Sequence, residues 1–426
     1  MPFASVIGYN TIMKARYRFR VYPTPSQQLA LAKLFGCVRV VWNDALVHCN
    51  AEYRAGGKKP SNAALQKQFI TQAKKIAERE WLTEVSNVPL QQSLNDLEQA
   101  YQNFFKSCKG ERKGKAVKPP RFKKRRAAQS ARFTTFGFNL QNDSLYLAKI
   151  GNLDVVWSRP LPSEPSSVTV IRDAAHRYFV SFVVEIGPET LPPTENSVGV
   201  DLGIATFATL STGEKVDALL PLKKRIQRVR RLDKNLARKQ RGSKRYEKAQ
   251  RRRARLYAKL KDTRTDFLHK LSTRLIRENQ AVILEDLNVT DIVKNRNLSR
   301  AISDLGWRQF RIFLEGKAQK YGREFRIISR WEPTSQRCSC CNEIGGKKEL
   351  SIREWTCLFC GASHDRDINA AVNIKVAGGY SETQNGLQRK RKTNAKLAAS
   401  VEASTRPEFI QISLFDLSGI TAPDSR

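Results

Sequence analysis

Three acids and four cysteines stand out as groups whose types and settings suit chemistry. Asp201 closes the apolar run Ser197-Val198-Gly199-Val200, and Glu285 closes Ala281-Val282-Ile283-Leu284. Asp367 lies in His364-Asp365-Arg366-Asp367-Ile368-Asn369-Ala370-Ala371, which reads as the start of a helix. A carboxylate carried into a sheet is costly unless a cation compensates it. Each motif alone is ordinary, since an acid after a strand often sits in a turn and one near a helix start can be a cap. Together, three such acids would hold Mg²⁺ or Mn²⁺, hard cations that take oxygen ligands. Two such ions stabilise the attacking and leaving oxygens of phosphodiester hydrolysis, and no side-chain nucleophile is then required. Asp286 is expected to face solvent or cap a turn, and Asp365 to cap the helix. That leaves Asp367 free for a metal. None of the four histidines is expected to be indispensable, His364 being the one candidate exception.

Cys338 and Cys341 form one C-x2-C knuckle and Cys357 and Cys360 a second, the pattern of a closed tetrahedral Zn²⁺ site with a structural role. Asn342 and Gly361 follow the two knuckles, where a residue tolerant of positive φ eases the turn. Cys340 is too close to Cys341 to share one knuckle. Cys37, Cys49 and Cys108 are scattered and read as reduced thiols, so the expected compartment is reducing.

The elements around these groups can be read from periodicity. Residues 15–22 alternate, placing Arg16, Arg18 and Arg20 on one face of a strand and apolar side chains on the other. Thr24, Pro25 and Gln27 make a capping box for a helix whose apolar face runs through Leu29, Leu31, Leu34, Phe35, Val38 and Val41 to Trp42. A second helix follows Leu90, Leu94, Leu97, Tyr101, Phe104 and Phe105. Residues 106–132 break into Lys, Arg, Gly and Pro, a segment shaped to follow a phosphate backbone. Ser167–Ile171 and Tyr178–Val184 read as an antiparallel hairpin of a small barrel or sandwich. Pro192 and Pro193 mark a linker before a new domain. Residues 207–210 read as a strand returning beside Asp201, with Gly203 leaving room for an approach to the backbone. Residues 223–261 form a basic amphipathic helical segment broken near Gly242-Ser243, and Phe267 to Ile276 a further amphipathic helix. Residues 377–426 read as a polar, disordered tail in which Leu414, Phe415 and Leu417 offer a weak docking spot.

Composition narrows the partners. The 426 residues carry 76 Lys and Arg against 40 Asp and Glu, a formal net charge of +36. Self-repulsion of that size is relieved by a polyanion, and neutralised phosphates release counterions. No apolar stretch reaches the length of a membrane span, and the beginning of the chain shows no secretory pattern. The expectation is a cytoplasmic, nucleoid-associated protein acting as a monomer.

With these residues in hand, the sequence resembles the TnpB family, transposon-encoded RNA-guided nucleases related to type V CRISPR effectors. The matching pieces are Tyr17-Arg18-Phe19-Arg20-Val21-Tyr22-Pro23-Thr24-Pro25, Phe35-Gly36-Cys37-Val38-Arg39, Gly199-Val200-Asp201-Leu202-Gly203, Leu284-Glu285-Asp286-Leu287 and residues 338–374, in the family's order. Asn342 departs from the Gly usual after the first knuckle. The resemblance implies an α/β multidomain protein. Residues 193–376 would be an RNase H-like (RuvC-like) nuclease domain with a zinc ribbon inserted at 334–364. Residues 1–22 and 127–192 would form a wedge-like β-barrel, with a helical recognition domain inserted at 23–126. Asp201, Glu285 and Asp367 would be the catalytic metal ligands. The partners would be a guide RNA from the transposon end and target double-stranded DNA, cut beside a short motif. Arg16, Arg18, Lys123, Lys124, Arg228 and Arg238 are the expected nucleic-acid contacts. An RNA-guided repressor without cutting, or a guide-independent transposase, would use the same scaffold. Intact acids at all three positions argue against the repressor.

Overall fold

The structure is a computed structural model that describes residues 12–112, 114–125, 127–288, 292, 298–349 and 351–380. The expected tail beyond 380, with Leu414, Phe415 and Leu417, lies outside the described residues. The described residues from 13 to 186 form one compact unit and those from 187 to 380 another. No helix among the described residues is long and apolar enough to cross a membrane.

In the first unit, β1 (Met13–Val21) is followed by α1 (Pro25–Arg54), α2 (Asn62–Gln66) and α3 (Asn87–Cys108). Then come β2 (Gln129–Thr134), β3 (Phe138–Gln141), β4 (Ser144–Leu147), β5 (Gly151–Leu153), β6 (Val155–Val156), β7 (Ser167–Arg172) and β8 (Tyr178–Ile186). One five-stranded sheet has the order β2-β7-β8-β1-β6, and β3-β4-β5 make a smaller one. The helices are thus inserted between two strands of a single sheet. The alternation of β1 holds: Phe19 and Val21 are buried with Tyr17 packed against the core, and the Arg18 guanidinium lies 3.6 Å over the Phe179 ring. The capping box at Thr24 is formed, with reciprocal bonds between Thr24 and Gln27. Leu29 departs from the predicted apolar face. It is 62% exposed, while Leu31, Leu34, Phe35, Val38 and Val41 are buried against α3 and the sheet. The predicted hairpin is β7–β8, paired antiparallel from Ser167↔Val183 to Arg172↔Tyr178.

The second unit starts at Gly187, ahead of the position expected from Pro192-Pro193. Its first residues are tied down: Glu189 and Leu191 donate backbone bonds to Lys320 and Tyr321, and Arg323 donates to the Pro192 carbonyl at 2.7 Å. The prolines therefore belong to a strap on this unit. The chain continues through β9 (Ser197–Asp201), β10 (Thr206–Leu210), β11 (Lys215–Asp217), α4 (Pro221–Ala237), α5 (Lys244–Glu278) and β12 (Ala281–Glu285). After α6 (Ser299–Leu305), α7 (Trp307–Tyr321) and β13 (Glu324–Ile328), a cysteine-bearing module carries β14 (Glu354–Thr356) and β15 (Ser363–Asp365). It leads into α8 (Arg366–Ala377). The sheet order is β11-β10-β9-β12-β13. β10 runs antiparallel to β9, whereas β9, β12 and β13 are parallel, so three strands deliver their carboxyl ends to one edge. The break between α4 and α5 falls where Gly242 takes φ +90° and Ser243 caps Tyr246. Asp304, buried on α6, accepts the Leu222 and Lys223 amides and so caps α4 from another helix.

Candidate active site and cysteine centre

The strand register brings the first two acids together. Leu284 pairs with Val200 between parallel neighbours, so Glu285 and Asp201 end adjacent strands at the same edge. The third arrives on α8, which packs directly on β9. A Cβ on Gly199 would lie 2.1 Å from the Ala371 carbonyl oxygen and 2.6 Å from the Lys375 amide nitrogen. Only hydrogen fits there, and the small Ala370 and Ala371 keep the helix close. That approach sets Asp367, in the first turn of α8, near Asp201. Gly203 leaves room for a close approach, as expected. What lies beside its backbone is the Thr206 carbonyl, where a Cβ would sit at 2.8 Å, so Gly203 tightens the β9–β10 turn.

Gly199→Ala is accordingly expected to cost about 3 kcal/mol, at the upper end of overpacking effects. A stability loss of that size lowers the melting temperature by about 6–12 °C in a unit of this size. Differential scanning calorimetry checks it, and an unchanged melting point would mean that α8 does not pack as described.

The proximity of the acids shows in their electrostatics. Burial, with the nearby charges of Glu285 and Asp367, pushes the Asp201 carboxyl up to about 7. Burial and then the adjacent Asp286 charge raise Glu285. Among the described residues, no lysine or arginine forms an ion pair with Asp201 or Glu285. Asp367 has a loose pair with Arg353 at 3.4 Å, a partner that no sequence pattern marks. The other two acids are accounted for. Asp286 is held by Arg311 at 2.7 Å and by Arg330, and the hydrogen bond from Arg330 keeps its carboxyl below the usual range. Asp365 caps α8 through the Asp367 and Ile368 amides and pairs with Lys215 at 2.6 Å. Three carboxylates gathered with little compensating cation, two of them favouring their neutral forms, fit a site for divalent cations.

The cysteines converge as their spacing implies. The ligand atoms of Cys338, Cys341, Cys357 and Cys360 all lie within 4.8 Å of one another. The Sγ separations are 3.7 Å for Cys338–Cys360 and 3.6 Å for Cys341–Cys357. Sulfurs about 2.3 Å from a tetrahedral Zn²⁺ stand about 3.8 Å apart, so the set fits that ion. Asn342 and Gly361 take φ of 70° and 72°, and their amides bond back to Cys338 and Cys357 in the same way. Asn342 therefore does what glycine would do. Cys340 is exposed and outside the cluster. The His364 Nε2 lies 3.0 Å from the Cys338 sulfur, which gives that histidine a supporting place beside the sulfurs.

Two residues join this module to the acids, and periodicity did not single them out. Asn369 and Asn373, buried one turn apart on α8, donate to the Arg337 carbonyl at 2.8 and 2.7 Å. Asn373 also donates to Thr334, and Asn369 accepts from the Ser339 amide. Paired asparagines four apart among Ile368, Ala370, Ala371, Val372 and Ile374 are the signal that could have revealed them.

The candidate nucleic-acid residues divide. Lys124, Arg228 and Arg238 are exposed, while Arg16 and Arg18 are half-buried on β1. Lys123 turns inward, its Nζ 3.9 Å over the Trp42 ring, and burial brings its pKa down to about 8. Packed on Trp42 of α1, it suits holding its own basic segment down more than reaching a phosphate.

The chain matches known proteins along most of its length. A family model described as "Probable transposase" of the OrfB type matches residues 181–296, a Cas12f1-like TNB domain matches 307–374, and a helix-turn-helix domain matches 13–58. The chain is 44% identical to a Streptomyces pristinaespiralis protein named as an RNA-guided DNA endonuclease, over 92% of this chain and 96% of the other. It is 30% identical to Escherichia coli InsQ, named likewise, over 85% and 92%. The solved Cas12f1–sgRNA–target DNA complex shares the fold at a TM-score of 0.53 and 12% identity, covering 85% of this chain and 98% of that one. With identity of this level across nearly the whole length of both chains, the protein belongs to the TnpB family of RNA-guided DNA endonucleases.

Proposed function

We propose that the protein is an RNA-guided, divalent-metal-dependent DNA endonuclease of a transposable element, cutting target DNA beside a short motif. The observation that carries this reading is the gathering of Asp201, Glu285 and Asp367 at one sheet edge with little compensating cation. The order β11-β10-β9-β12-β13, with an antiparallel meander followed by two parallel strands, supports an RNase H-like (RuvC-like) assignment for this unit. The cysteine module between β13 and α8 is then its zinc ribbon. The helices inserted between β1 and β2 support a wedge-like β-barrel unit with an inserted recognition domain.

Asp201, Glu285 and Asp367 would hold Mg²⁺ or Mn²⁺, and Cys338, Cys341, Cys357 and Cys360 would hold Zn²⁺. The divalent ions supply charge stabilisation at the scissile phosphate and lower the pKa of water. The chain's own residues set the geometry. β9 and β12 fix two carboxylates by register, Gly199 admits the helix bearing the third, and Asn369 and Asn373 hold the ribbon against that helix. Exposed Lys and Arg on α4 and α5, Arg228 and Arg238 among them, offer a positive surface to a guide–target duplex recognised by backbone and shape. The partners are then a guide RNA from the transposon end and double-stranded DNA, in the prokaryotic cytoplasm.

The test is to purify the protein with its RNA, sequence that RNA, and challenge the complex with Mg²⁺ and a target library randomised beside the guide match. Cutting at guide-matched sites next to one motif is expected. Sequence-specific binding to transposon-end DNA without RNA would overturn the reading in favour of a transposase.

A further inference from the structure

The loop after β13 carries an indole that neither the fold nor the three carboxylates use. Trp331 is 86% exposed, whereas the other five tryptophans are buried or half-buried. Its position is fixed by the sheet. β13 is parallel to β12 with Ile328 opposite Glu285, and the Asp286 amide donates to the Ile328 carbonyl at 3.0 Å. The three residues that follow therefore leave the sheet at the edge where Asp201 and Glu285 end.

The loop is also anchored on both sides of the indole. Arg330 is paired with Asp286, which Arg311 holds at 2.7 Å from α7. The Trp331 amide bonds to the Ser329 hydroxyl at 3.3 Å and the Glu332 amide to the Ser329 carbonyl at 3.2 Å, making a tight turn. Beyond it, Asn373 holds the Thr334 carbonyl at 2.8 Å. A backbone restrained in this way holds out an aromatic face on the loop that leaves the sheet beside the end of Glu285's strand, instead of letting it fold inward. The chemistry that matches a lone, fixed, exposed indole beside a phosphodiester site is an unpaired nucleobase. Every base has a π-face, and stacking tolerates any sequence.

We propose that Trp331 is a base-stacking residue that grips one unpaired nucleotide of the DNA strand entering the carboxylate site and so holds the neighbouring phosphate in register. This rests on the nuclease reading above, and the test separates the two. In the full-length protein with its copurified RNA, Asp201→Ala prevents cutting. 2-Aminopurine is then placed at successive positions of the target strand. Stacking on the indole should quench one position, and Trp331→Ala should relieve that quenching where Trp331→Phe does not. In the cutting-competent protein, Trp331→Ala should lower the cleavage rate by about tenfold, Trp331→Phe should recover most of it, and an abasic site at the quenched position should slow wild type but not Trp331→Ala. Identical fluorescence profiles for wild type and Trp331→Ala at every position would overturn the stack while leaving the nuclease reading intact. A Trp331-dependent profile in a complex that never cuts with Mg²⁺ would uphold the stack and overturn the nuclease reading.

Discussion

Asp201→Asn is expected to reduce target cleavage by about 10³-fold or more, since losing several kcal/mol of charge stabilisation carries that factor. Guide-dependent DNA binding should persist, because the substitution is isosteric and lies at the carboxyl end of a strand. Asp201 is the position where this should be largest: it ends β9, neighbours Glu285 by register and underlies the helix bearing Asp367. A second measurement follows from its proton affinity. Burial and the two neighbouring acids raise its carboxyl from 3.8 to about 7, so the metal-free folded state binds that proton more tightly than the unfolded chain. Its contribution is fully present below pH 3.8 and is lost as pH rises through 7, so metal-free protein should lose stability across that window. Adding Mg²⁺ near pH 8 should restore stability to wild type, because a cation that binds the folded state alone stabilises it by mass action. Asp201→Asn should flatten the pH trend and blunt the Mg²⁺ response. Cleavage by Asp201→Asn at wild-type rate would remove Asp201 from the site.

The sequence exposed features of this site that depend on local chemistry and concealed those that depend on distant neighbours. Asp201 and Glu285 announced themselves because each ends an aliphatic run, and a strand's polarity switch is visible within five residues. The knuckles were visible because a tetrahedral ligand set constrains spacing within each pair. The caps at Thr24 and Asp365 were visible for the same local reason. The role of Gly199 was hidden, since its need for a bare backbone comes from Ala371 and Lys375, far along the chain. Asp304 was hidden too, because it caps a helix through an amide 82 residues earlier and nothing beside it in sequence shows the need. Lys123 and Leu29 went the other way. A basic run suggests outward charges, and a helical stripe suggests burial, but Trp42 draws one lysine in, and Leu29 stands on the side of α1 opposite the buried Val38 and Ala45. Periodicity gives an element a face, while the width of that face is decided by what packs on it.

Cys357→Ser is expected to strip the cysteine module of metal and structure while leaving the sheet folded. The reason is the poverty of the module's interior. Among the described residues its buried apolar cluster consists of Cys338, Trp355 and Cys357, with Cys341 packed against them, so most of what could be called its core is the ligand set itself. Such a module has no hydrophobic reserve, and its folding free energy is metal-binding free energy, about 10–16 kcal/mol for small zinc modules. Burial opposes ionisation of Cys357, but the Cys360 and Phe359 amides outweigh it and bring the thiol down to about 7. Elemental analysis should find zinc in wild type and in Cys340→Ser, whose exposed thiol lies outside the cluster, and little in Cys357→Ser after a chelator wash. Hydrogen exchange should rise across residues 336–365 and stay low in β9, β12 and β13. The effect should then reach the acids by a definite route. Asn369 and Asn373 grip the Arg337 and Thr334 carbonyls at the root of the first knuckle, on the same helix that holds Asp367. Loss of the module should therefore lower cleavage while the global melting transition of the second unit moves little. Undiminished zinc in Cys357→Ser would show that the four sulfurs do not form one site. Zinc loss with undiminished cleavage would show instead that the asparagine link carries no positional information to Asp367.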